Sequence, residues 1–78
     1  MLLNLNNIST LQKFVNAASQ FEDDIVAISG KYTVNAKSIM GLLSLDLSYP
    51  VRVEILSNDK NVTSQFSDKI GIFGDWFT

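Results

Sequence analysis

The chain has 78 residues, of which 46% are apolar and 18% are charged, and its net charge is −2. This length allows one domain with a modest core. Cysteine and histidine are both absent, which excludes disulfides, thiol chemistry and the usual transition-metal sites. The carboxylates do not cluster with the spacing of a calcium loop, and the six basic residues are scattered. The sequence therefore predicts no metal, no cofactor and no nucleic-acid partner.

The hydropathy pattern predicts no membrane association. The longest uninterrupted apolar runs are a few residues long, far short of a membrane span. Asn4 directly follows Met1, Leu2 and Leu3, which is unlike a secretory leader. We therefore expect a cytoplasmic protein.

The first two predicted elements are a strand and a helix. Leu3 and Leu5 alternate with Asn4 and Asn6, which predicts strand one over residues 2–6. Ser9 or Thr10 offers an N-cap, so we expect helix one over about Thr10–Gln20. Its apolar residues recur at helical spacing: Leu11, Phe14, Val15, Ala18 and Phe21.

A hairpin and a short helix follow. Asp24–Ser29 is rich in β-branched residues, and Gly30 marks a turn after it. Tyr32–Asn35 is the next predicted strand, so the two form a hairpin. Ser38 can cap a short helix over Ile39–Leu43.

The last predicted elements are the clearest amphipathic strand and a third helix. Residues 51–55 alternate strictly between apolar and charged. Asn58 or Asp59 can cap a helix that we expect to end near Ile70, with Trp76 and Phe77 packing as a less regular tail. The helix pattern rests on apolar residues three or four apart: Val62, Phe66, Ile70, Phe73 and Phe77.

The element order is β-α-β-β-α-β-α. It predicts an α+β open-faced sandwich, in which three helices cover one face of a four-stranded antiparallel sheet. We expect residues 1–78 to form a single domain.

Two segments carry a resemblance to a known family. Phe14–Phe21 reads FVNAASQF, and Val34–Leu45 reads VNAKSIMGLLSL. Both segments, and the spacing between them, resemble HPr, the histidine-containing phosphocarrier of bacterial sugar uptake. The likeness covers most of residues 9–56. It implies the same open-faced sandwich, with strand two lying between strands three and four.

The family's phosphoryl-carrying motif does not survive in this chain. The motif has the form His-Ala-Arg-Pro-Ala, and counting back without gaps places its histidine at Asn7, its arginine at Ser9 and its proline at Thr10. An amide cannot replace imidazole as the nucleophile that forms a labile phosphoramidate. We therefore expect no phosphoryl relay and no enzymatic activity. Asn7 is either a degenerate active-site position or simply part of a polar turn before the helix.

Other family features have counterparts here. Ser38 matches the regulatory phosphoserine of the family, and it is also expected to act as an N-cap. Ile39, Met40 and Leu43 resemble the apolar patch through which the family docks to its partners. The alternative for Ile39 and Leu43 is a place in the core, which we favour, with Met40 as the exposed contact. The resemblance implies protein partners: a serine kinase of the family and a transcriptional regulator.

One feature of the predicted sheet points to self-association. Alternation sends Val26 and Ile28 to the open face, where they would form an apolar stripe. Its predicted flanks are polar: Arg52 and Glu54 on one side, Thr33 and Asn35 on the other. This layout favours a weak symmetric homodimer. The alternative is ordinary surface, because isolated exposed apolar residues are common.

The leading interpretation is a non-catalytic HPr-like protein of the sugar phosphotransferase and carbon regulation type. It would act by protein docking, with phosphorylation of Ser38 as the candidate switch. Family relatives that keep the serine and lack the histidine serve catabolite repression, and this chain is similar to them in that respect. The alternative is a diverged HPr-fold interaction or structural domain with no phosphotransfer role. An active phosphocarrier would need an unusual phosphoacceptor.

Overall fold

The computed structural model describes residues 2–71. The elements follow the predicted order: β1 (Leu2–Leu3), α1 (Ile8–Ala18), β2 (Ile25–Ser29), β3 (Tyr32–Asn35), α2 (Ile39–Leu43), β4 (Val51–Ile55) and α3 (Lys60–Ile70). Four antiparallel strands form one open sheet, and the three helices cover one of its faces. The predicted α+β open-faced sandwich is therefore confirmed.

The strand order is β1-β4-β2-β3. β2 pairs with β3 on one side and with β4 on the other, so strand two lies between strands three and four as the resemblance implied. Across the sheet, α1 contacts both of the other helices, and α2 also contacts β3. The helices are thus arranged in the order α3, α1, α2, with α2 nearest the β3 edge.

The core lies between the sheet and the helices and is entirely apolar among the described residues. Along β2, Ile25 and Ala27 are buried against the helices, whereas Val26 and Ile28 are only partly buried on the other face. The buried side chains come from every element except β3, and from the segments between elements: Leu3, Leu5, Leu11, Phe14, Val15, Ala18, Ile25, Ala27, Ala36, Leu42, Leu45, Val51, Val53, Phe66 and Ile70. Removal of this apolar surface from water is the main force that holds the helices on the sheet.

Two early boundaries differ from the predictions. Strand one was expected over residues 2–6, but β1 ends at Leu3. Leu5 is nevertheless buried, because the chain still passes over the core after it leaves the β ladder. Helix one was expected to begin at Thr10, but α1 begins at Ile8 and ends at Ala18. The period-two pattern therefore predicted the burial of Leu3 and Leu5 correctly, but it predicted a strand that is too long.

The other boundaries lie at or near the predicted residues. The chain reverses at Gly30, whose φ of 59° is the left-handed conformation that glycine adopts without strain. Asp59, one of the two proposed caps, accepts a 2.9 Å hydrogen bond from the Asn61 N–H and starts α3. Ile70 ends α3 as expected.

The predicted tail, with Trp76 and Phe77, lies outside the described residues, and so does Phe73 of the predicted helix repeat. Within residues 2–71, no helix has the length and apolar character needed to cross a bilayer.

Candidate functional site

The N-terminus of α1 is closed by a side chain of the chain itself. Asn7 adopts an extended backbone conformation and caps the helix. Its Oδ1 accepts hydrogen bonds from the N–H groups of Ser9, at 2.8 Å, and Thr10, at 3.3 Å. Ser9 and Thr10, the predicted caps, are therefore inside the first turn and supply donors to the cap. The amide oxygen accepts hydrogen bonds from the N–H groups of the first turn, which would otherwise be free to bind an anion.

Ser38 caps α2, as its sequence context predicted. Its Oγ accepts a 3.1 Å hydrogen bond from the Gly41 N–H, and its carbonyl oxygen accepts a bond from the Leu42 N–H. Ser38 is only partly buried. A serine in this position can be both a cap and an accessible hydroxyl.

The apolar side chains of α2 divide into an inner and an outer set. Leu42 is fully buried, and Ile39 is partly buried against the core. Met40 is 79% exposed, as predicted, and its role as a partner contact stays a prediction. Leu43 was favoured as core, but it is 49% exposed, so that prediction is wrong. A five-residue helix has little more than one turn, and only a narrow stripe of it can face the sheet.

We call Ile39, Met40 and Leu43 the α2 patch. Two further exposed apolar residues on the helices and the loop after α2 escaped the sequence analysis. Ile8 in the first turn of α1 is 56% exposed, and Tyr49 before β4 is 68% exposed. Ile8 falls on the helical repeat of the buried stripe, so periodicity alone counts it as core. The signal that could have predicted the exposure of Ile8 is its position at the very start of α1.

The charged groups around α2 are engaged in local hydrogen bonds. Lys37 Nζ donates to the backbone oxygen of Phe21 at 2.5 Å and so ties the start of α2 to the end of α1. Asp46 Oδ1 accepts hydrogen bonds from the hydroxyl and the backbone N–H of Ser48. These bonds, the hydroxyl first, hold the pKa of the Asp46 carboxyl below its ordinary value.

The described residues offer little reactive chemistry. They contain no cluster of carboxylates that could hold a metal ion. Nothing in the full sequence can serve as an imidazole or thiol nucleophile, because histidine and cysteine are absent. What the region around α2 does present is a partly buried serine next to an apolar patch in which Met40 and Leu43 are exposed. This combination is suited to protein contact and to modification.

Comparison with protein-family models gives a match to PTS-HPr, described as the PTS HPr component phosphorylation site, over residues 10–68. The match covers all three helices in large part and β2 through β4, but it begins after Asn7. Neither the curated proteins nor the solved structures contain a match. The matched residues include Ser38 and the α2 patch, and the sheet order is the one that the resemblance implied. The chain therefore belongs to the PTS-HPr family, whose members are phosphocarrier-type proteins of the sugar phosphotransferase system.

Proposed function

We propose that this protein is a non-catalytic HPr-like docking protein whose partner binding is controlled by phosphorylation of Ser38. Its partners in this proposal are a serine kinase of the family, which modifies Ser38, and a regulator that reads the result. The protein carries no phosphoryl group on histidine, since it has none. It serves carbon regulation in the cytoplasm by being recognised, not by passing phosphate on.

The observation that carries this proposal is the position of Ser38. Ser38 is only partly buried, and the residues that follow it begin the α2 patch, with Met40 79% exposed and Leu43 49% exposed. Phosphorylation adds about two negative charges and three strong acceptor oxygens at neutral pH. Such a group beside an apolar contact surface changes what that surface can bind, because a charged phosphate is costly to bury without cationic partners.

The second candidate is an HPr-fold interaction domain without any phosphotransfer biology. A fully buried Ser38 would have favoured it, since a kinase could not then reach the hydroxyl. Ser38 is only partly buried, and this supports the first candidate. The α2 patch fits both candidates, because either would use it as a docking surface.

The test is incubation of the purified chain with ATP and a serine kinase that phosphorylates HPr proteins. We expect addition of one phosphate, located by peptide mass spectrometry at Ser38 and stable to acid as phosphoserine is. The Ser38→Ala variant should gain none. Ser44→Ala is the matched control, because Ser44 is an exposed serine at the other end of the same helix, and this variant should be modified like the wild type.

Docking is tested separately from modification. Met40→Ala and Leu43→Ala should weaken capture by the kinase, seen as a rise in KM with little change in kcat, because they remove contact area and leave the phosphoacceptor intact. A Ser38 that stays unmodified while an authentic HPr is phosphorylated under the same conditions would refute the switch. It would leave the interaction domain as the better account.

A further inference from the structure

The open face of the sheet carries a pattern that is distinct from the α2 patch. The strand register places side chains of four strands in one row, with Leu2, Arg52, Ile28 and Thr33 side by side. The next row on the same face holds Glu54, Val26 and Asn35. The two rows have matching composition, because each has a charged residue on β4, an aliphatic residue on β2 and a polar residue on β3.

The charges of the two rows have opposite sign. Arg52 and Glu54 form an exposed ion pair within the chain, with 3.3 Å between the guanidinium Nη2 and the carboxylate Oε1. Val26 and Ile28 beside them are partly buried aliphatic residues with no helix over them. The face therefore has an aliphatic centre on β2, with polar groups on both sides.

Such a face is complementary to a second copy of itself. Consider a two-fold axis that lies in the plane of the interface, perpendicular to the strands, and passes between the two rows. Rotation about it lays the first row of one copy over the second row of the other. Arg52 then lies over Glu54 of the second copy, and Ile28 lies over its Val26. Thr33 lies over Asn35 in the same way, so charge meets opposite charge and aliphatic meets aliphatic.

We infer that the open face is a homodimer interface, in which two sheets pack face to face around this two-fold axis. Four strands about 4.8 Å apart and five residues of about 3.4 Å each give a face of roughly 300 Å² per copy. This is below the roughly 800 Å² per partner of a stable complex. The dimer is accordingly weak, and its contacts are isologous, each residue pair occurring twice.

The two charged residues allow a test that depends on the orientation of the axis. Arg52→Glu gives a face with two acidic residues, and Glu54→Arg gives a face with two basic residues. Each variant alone should stay monomeric, since like charges would oppose one another across the axis. An equimolar mixture should form a heterodimer, because each acidic residue then lies over a basic one. The internal ion pair is lost in both variants, so its loss cannot explain association of the mixture.

The measurement is sedimentation equilibrium at protein concentrations up to about 1 mM, a range in which a weak dimer of this size is populated. For the wild type, the mean mass should rise from 8.7 kDa toward twice that value and fall back at high salt. The double variant Val26→Thr, Ile28→Thr should remain monomeric. Tyr32→Thr is the matched control. Tyr32 is 71% exposed but pairs with Ser29 and so lies on the helix side of β3, and its variant should dimerise like the wild type.

Three results would overturn the inference: a wild type that remains at 8.7 kDa, charge variants that each dimerise as the wild type does, or a mixture that stays monomeric. Circular dichroism of each variant verifies that the fold is intact. Because these variants leave Ser38 and the α2 patch unchanged, failure of the dimer leaves the proposed docking function untouched.

Discussion

Asn7, the position at which counting without gaps places the family's histidine, is a helix cap, and replacing it should lower stability. Asn7 Oδ1 accepts one short hydrogen bond, 2.8 Å from the Ser9 N–H, and one longer bond, 3.3 Å from the Thr10 N–H. Loss of an asparagine cap costs about 0.5–2 kcal/mol. Both donors become open to water in Asn7→Ala, since Asn7 is exposed, so we expect about 1 kcal/mol.

The corresponding fall in melting temperature follows from the size of the chain. Unfolding of 78 residues carries an entropy of roughly 0.16 kcal/mol per kelvin near the melting temperature, so 1 kcal/mol corresponds to about 6 °C. Asn7→Asp keeps the acceptor oxygen and adds a favourable charge at the N-terminus of α1, and it should be neutral or slightly stabilising.

The assay is urea unfolding followed by circular dichroism, with Asn6→Ala as the matched control. Asn6 is the adjacent exposed asparagine, and the side-chain acceptor at the start of α1 comes from Asn7. We expect Asn6→Ala to stay within about 0.5 kcal/mol of the wild type. If Asn7→Ala and Asn6→Ala had the same unfolding midpoint, Asn7 would not be capping α1, and the interpretation of this position as a structural replacement would fail.

Two further predictions concern α2 and the loop after it. Ser38→Ala should destabilise the fold by about 0.5–2 kcal/mol, whereas Ser38→Asp should be nearly neutral because aspartate caps well; equal unfolding midpoints for both variants and the wild type would show that Ser38 caps nothing. In an NMR pH titration, the Asp46 carboxyl should have a pKa below its ordinary value, and Ser48→Ala should raise it toward that value because the hydroxyl donor is lost. A lowered pKa stabilises the fold above the unfolded pKa, and this contribution disappears as the pH falls through the folded pKa.

The last strand and the last helix could be predicted because local chemistry and tertiary environment agree there. In β4, the alternation of Val51 and Val53 with Arg52 corresponds directly to burial and exposure. In α3, Asp59 is followed by an apolar repeat whose Phe66 and Ile70 are the buried residues. Each element has one face in the core, and the sequence pattern alone identifies that face.

The start of α1 could not be predicted with the same accuracy. Asn6, Asn7, Ser9 and Thr10 are all residue types that cap helices well. The choice between them depends on where the chain leaves the sheet, which is a tertiary property.

The prediction that Leu43 lies in the core was wrong for a similar reason. Which side chain of a one-turn helix faces the core depends on how the helix is rotated against α1 and β3, and five residues carry too little pattern to define it.

The site was predictable in part. The serine at the start of α2 and the exposed Met40 followed from the resemblance and from residue chemistry. Ile8 and Tyr49 did not, because their exposure is the outcome of helix and loop placement. Sequence reasoning therefore identified the candidate residues on α2 and did not identify the exposed Ile8 and Tyr49.

The central claim is that the chain keeps the fold of the PTS-HPr family and has lost its phosphohistidine chemistry. The most direct measurement is incubation with the first enzyme of the relay and labelled phosphoenolpyruvate, with an authentic HPr as the positive control. The account predicts that the control acquires acid-labile phosphate while this chain acquires none. It also predicts that Asn7→His alone does not restore transfer, because counting without gaps places Ser9 at the position expected for the family's arginine. Stoichiometric acid-labile label on the wild-type chain would contradict the account.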